Sequence, residues 1–143
     1  MRRTVSVVVW CSLTACLPGD GTGLDPTGNP LPPEIQLSTD IQPIFTTSCA
    51  FSQCHAGVSP VLGQHLGAGQ SYVSIVGVPS VQLPGWFRVR PGQPDSSYLV
   101  HKIQGTHLQV GGVGARMPLN AAVLRQGQID TIRAWIADGA LNN

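Results

Sequence analysis

Two cysteines and a histidine stand close together in CAFSQCH, as Cys49, Cys54 and His55. Two thiols can oxidise to a disulfide, thiolate and imidazole can bind zinc, and a thiol pair beside an imidazole can hold a haem covalently. Covalent attachment ordinarily uses C-x-x-C-H. This chain keeps the Cys–His junction but has four residues between the cysteines, so two extra residues must bulge outward. A disulfide explains both thiols and leaves the adjacent histidine without a role. Zinc would need further ligands from His65, His101 or His107, and the chain has no second C-x-x-C. On this heptad alone, haem and disulfide stand level.

A haem iron that carries electrons takes a sixth ligand, commonly a methionine thioether. Apart from Met1, the chain has one methionine, Met117, in GARMPLN. A lone methionine is more often core filler, but a polar, glycine-flanked loop is a poor place for filler. Pro118 follows and stiffens the loop. His65, His101 and His107 are rival ligands. We expect His101 on a polar helix face beside Lys102, and His107 in an open loop.

The amino-terminal residues have a different purpose. MRRTVSVVVWCSLTAC has Arg2 and Arg3, an apolar run and a small-residue end, the pattern of a signal peptide over 1–15. LTAC resembles the lipobox of bacterial lipoproteins, which implies lipidation of Cys16. Cleavage removes Cys11, and lipidation occupies Cys16, so Cys49 and Cys54 alone remain as thiols in an oxidising compartment. Losing Arg2 and Arg3 from the eight Lys+Arg leaves six, against seven Asp+Glu. That near-neutral balance gives no basic field and no expectation of nucleic-acid binding. The strings GAGQS and GGVGAR lack the lysine and hydroxyl of a phosphate loop.

Elements must then position the site. Residues 16–37, rich in Gly and Pro, are read as a lipidated tether, and 38–143 as the domain. Charged residues make up 10% of the chain, with Gly 17 and Pro 12, so the domain should be loop-rich. STDIQPIFTTSCA predicts a first helix capped by Ser38 or Thr39, with Ile41, Ile44 and Phe45 on one face. GQSYVSIVG predicts a short second helix stopped by Gly77. PDSSYLVHKIQG predicts a third, capped by Asp95 or Ser96 and ended by Gly105. RQGQIDTIRAWIADGA predicts the strongest, with Ile129, Ile132, Trp135 and Ile136 in one stripe. The loops 56–69, 78–94 and 106–124 are long for a plain bundle and suit a domain that wraps a large ligand. Pro84 and Gly85 break the one strand-like run, 80–90.

Four stretches, DIQPIFTTSCAFSQCHAG, RVRPGQPDSSYLVHKIQG, GARMPL and QIDTIRAWIADGA, occur in that order across most of 40–140. Together they resemble the single-haem, class I-like cytochrome c domains of bacterial envelope proteins, notably of myxobacteria and planctomycetes. The resemblance implies an all-α fold of about four helices with long loops around one haem c. It implies thioether bonds at Cys49 and Cys54, His55 as proximal and Met117 as distal iron ligand. Arg88 and Arg90 are candidates for the haem propionates; Trp86 and Phe87 for covering the haem edge. The expected function is electron transfer without catalysis, by a lipoprotein at the periplasmic side or outer membrane, docking to envelope redox partners. The rivals are a haem domain with an open sixth position that senses or catalyses, and a haem-free lipoprotein stapled by Cys49–Cys54.

Overall fold

A computed structural model describes residues 27–30 and 33–143. The signal peptide and Cys16 lie outside the described residues. Two compact units divide at Pro33/Glu34. In the first, Thr27–Pro30 form a turn in which Asn29 Nδ2 donates to Thr27 Oγ1 at 2.7 Å.

The second unit, Glu34–Asn143, is helical. Its four α-helices are α1 (Gln42–Ser48), α2 (Ser71–Ile75), α3 (Tyr98–Gln104) and α4 (Gln126–Ala137). A π-helical turn, Leu37–Ile41, leads into α1, and 3₁₀ turns occupy Val61–Gly63, Pro94–Ser96 and His107–Val110. Among the described residues no run is long enough to be a strand. The 76–97 segment makes isolated bridges, Val76 with Val89, Pro79 with Phe87 and Phe87 with Ser97. No described helix is long and apolar enough to cross a membrane.

The amphipathic stripe explains α4. Ile129, Ile132, Trp135 and Ile136 all face inward, and Trp135 Nε1 donates to Leu141 O at 3.0 Å. Gln128 Oε1 accepts from Arg125 N at 3.0 Å, satisfying a donor at the helix start. The interior continues through Leu37, Ile41 and Phe45, then Ile75, Val89, Val100 and Ile103. Gly105 ends α3 with φ +79°, a left-handed conformation that costs glycine nothing.

Two helix starts differ from the sequence expectation. Neither Ser38 nor Thr39 caps the first helix; Gln36 takes that position, and Asp40 Oδ2 accepts from Gln36 N at 2.8 Å. Leu37 is buried and Ile35 packs on the core, so the fold takes in the last residues of the expected tether. The carboxyl terminus explains this: Leu37 N donates to Asn143 Oδ1 at 2.8 Å, and Ser38 N to Asn143 O at 3.0 Å. At α3, Asp95 and Ser96 lie in the preceding 3₁₀ turn and Ser97 takes the cap position. Its hydroxyl instead accepts from Arg90 N at 2.8 Å and donates to Gln93 O at 2.9 Å.

Candidate functional site

The carboxyl end of α1 delivers the chain into the cysteine loop. Cys49 N and Ala50 N both donate to Phe45 O, at 2.8 and 2.9 Å, which ends the helix. Cys49 O then accepts from Phe51 N at 3.0 Å and His55 N at 3.2 Å, closing the segment between the cysteines into a compact turn. Phe51, Ser52 and Gln53 are exposed in this turn. Both thiols are free. Cys49 is half-buried, and burial first, then the nearby Cys54, push its pKa up to about 11.

His55 is held from behind. Gln64 O lies 3.2 Å from Nδ1, and Leu66 N donates to His55 O at 2.6 Å. The carbonyl partner follows the SPVLG segment immediately and fixes the ring as ligating histidines are usually fixed. Burial is the main reason its pKa lies below the ordinary histidine value; the Gln64 bond partly opposes this, and Arg88 and Lys102 add to the lowering. The ring is therefore neutral at pH 7, the form that binds a metal.

The Met117 loop is docked on α3. Met117 N donates to Lys102 O at 2.9 Å and Arg116 Nε to Ile103 O at 3.2 Å. These carbonyls belong to the last turn of α3, which has no intrahelical donors left for them. The helix end thus anchors the loop that carries the thioether.

Two adjoining clefts open among these segments. One, of about 680 Å³ including its solvent-filled mouth, is lined by Cys49, His55, Arg88, Tyr98, Lys102 and Met117, among others. The second, about 570 Å³, is lined by Cys49, Phe51, Cys54, His55, Met117 and Leu119, with others. Cys49, His55 and Met117 line both, and Cys54 lines the second. The donor set is thus two thiols, an imidazole and a thioether around mainly apolar walls, and it fits a covalently held haem.

The remaining candidates separate. His65, His101 and His107 line neither cleft. His101 is tied down by Thr106 Oγ1 at 2.8 Å and Asp95 O at 3.1 Å, and lies edge-on to Trp86. His107, expected in an open loop, is buried in a 3₁₀ turn with Nε2 2.8 Å from Gly114 O. Among the described residues no three His, Cys, Asp or Glu side chains gather to hold a metal ion by themselves. Arg88 lines the first cleft, while Arg90 lines neither and sits 5.8 Å over the Phe87 ring. Trp86 and Phe87 line neither.

Sequence reasoning missed Lys102 and Tyr98. Lys102 was expected on a polar face, yet it is only 5% exposed and lines the first cleft. The reason is that α3 is buried nearly all round, through Tyr98, Leu99, Val100, Lys102 and Ile103. Tyr98 Oη donates to Val113 O at 2.9 Å and accepts from Val113 N at 3.1 Å. The signal that could have found Lys102 is its place amid YLVHKI, an apolar helix with few polar positions. No protein-family model matches the chain, and no match emerges among curated proteins or solved structures.

Proposed function

We propose that the domain is a single-haem c-type cytochrome that carries one electron at a time and is tethered to the bacterial envelope by lipid at Cys16. The observation that carries this reading is the convergence of His55, Met117 and Cys49 on the same pair of clefts, with Cys54 beside them. A bound haem would supply a reversible one-electron couple, and methionine ligation favours a high potential. Cys49 and Cys54 would form the thioether bonds. His55, oriented by Gln64 O, and Met117, held by α3, would both ligate the iron. The long loops would then enclose a ligand that completes an interior the chain fills incompletely. With few charges, docking to envelope redox partners would be weakly steered and brief.

The test is mass spectrometry of the Cys49–His55 peptide after coexpression with haem-attachment machinery. A haem adduct on both cysteines is expected. A peptide lighter by two hydrogens and without an adduct would instead establish the disulfide-stapled lipoprotein.

A further inference from the structure

The first cleft holds two cations and no anion. Arg88 and Lys102 are 8% and 5% exposed, and neither Asp nor Glu lines the cavity. Among the described residues the one ion pair, Arg133 with Asp95, lies elsewhere. A buried charge without a counter-charge is costly, so the cleft is built as half of an ion pair.

The two cations are not equivalent. The Arg88 guanidinium donates to Gly63 O at 3.2 Å, Ser74 O at 2.7 Å and Leu62 O at 2.6 Å. It clamps the 62–63 turn to the end of α2 and is part of the cavity wall. Lys102 has three donors but one bond, to Val113 O at 3.3 Å. Gly114, at φ +82°, lets both side chains pack against its backbone: a methyl there would lie 3.2 Å from Lys102 Nζ and 2.6 Å from Gln82 Nε2, so neither could stay where it is. The two donors thus lie close together and both line the first cleft, while Cys54 lines only the adjoining cavity.

We infer that Lys102, with Gln82 as second donor, is the anion-binding residue of the cleft and takes a carboxylate of the bound porphyrin, while Arg88 is a wall residue and Arg90 has no part. This rests on the haem reading. It adds an orientation: the thioether edge lies toward Cys54 and a carboxylate toward Lys102. It also assigns the contact to a residue other than the two arginines singled out from the sequence.

Two experiments test this. In the full chain purified without haem, tryptophan quenching should show protoporphyrin IX binding at least ~10-fold tighter than its dimethyl ester, about 1.4 kcal/mol. Lys102→Met should abolish that preference and Arg90→Gln should leave it intact. Equal affinity for acid and ester, or no binding of either, overturns the inference. The second experiment needs no folded haem-free protein. In the haem-attached protein, Lys102→Met should lower the denaturant midpoint, because the carboxylate loses its partner, and Arg90→Gln should not. A merely structural lysine predicts the reverse, since removing an uncompensated buried charge stabilises. A midpoint that is unchanged or raised overturns the inference. If haem attaches and ester and acid still bind alike, the carboxylate assignment falls and the cytochrome reading stands. Failure of haem to attach and of either porphyrin to bind removes both.

Discussion

The interior around α4 and the clefts around His55 share α1 and α3 as neighbours but are finished differently. Around α4 the chain completes its own packing: Phe45, Ile132, Trp135 and Ile136 are at most 1% exposed. Around the clefts it stops short. Phe51 is 52% exposed and Leu119 55%, two thiols stand free, and two cations lack a carboxylate. Helices bury the first region through a repeating stripe, whereas loops build the second and leave apolar surface exposed. The fold therefore has one self-sufficient half and one half left open to solvent, which under our proposal the haem completes.

The largest effect should come from the self-sufficient half. Trp135→Ala removes a wholly buried ring and its bond to Leu141 O. It should cost ~3–5 kcal/mol in chemical denaturation, whether or not haem is attached. A loss below about 1 kcal/mol would mean that α4 does not carry the core.

Next in size is an alkaline loss of stability in the haem-free protein. Cys49 holds its proton up to about 11 when folded, against 9.0 when unfolded. Between these values the folded state binds more protons, so stability falls as pH rises. Tyr98, also raised by burial, acts in the same sense; Lys102, lowered by burial, acts in the opposite one. The Cys49 contribution is the difference between wild type and Cys49→Ser in urea titrations from pH 8 to 11.5, and attached haem should remove it. For His55 the sign reverses. Its folded pKa lies below 6.5, so stability falls as pH drops below that value, and His55→Gln should flatten the dependence.

The smallest effect sharpens the contrast. Phe51→Ser and Leu119→Ser should change haem-free stability by no more than about 0.5 kcal/mol, because those residues are already more than half exposed. The same substitutions should matter more once haem gives the side chains something to cover. Equal, large losses in both forms would show that the cleft rim is ordinary core.

What the sequence disclosed follows the same division. The Ile129, Ile132, Trp135 and Ile136 stripe repeats at helical spacing, and glycines mark the stops, so the helices are readable locally. The start of the fold is not, because Leu37 is buried by a bond to Asn143 from the other end of the chain. Arg88 and Arg90 are indistinguishable as sequence; carbonyls from Leu62, Gly63 and Ser74 capture one, while the other lies over Phe87. Lys102 and His107 look polar and open, but the returning 113–114 segment covers them. Residue types suggested which groups could do chemistry; only long-range contacts decided which share a cleft.

The most direct test of the central claim is the absorption spectrum of the protein coexpressed with haem-attachment machinery, recorded oxidised and reduced. The account predicts the reduced bands of a c-type haem and, when oxidised, the weak far-red band of methionine-ligated iron, lost in Met117→Leu with the haem still attached. A colourless protein from a competent host would contradict the cytochrome reading. A coloured one whose far-red band is absent, or survives Met117→Leu, would contradict the assignment of Met117 to the iron.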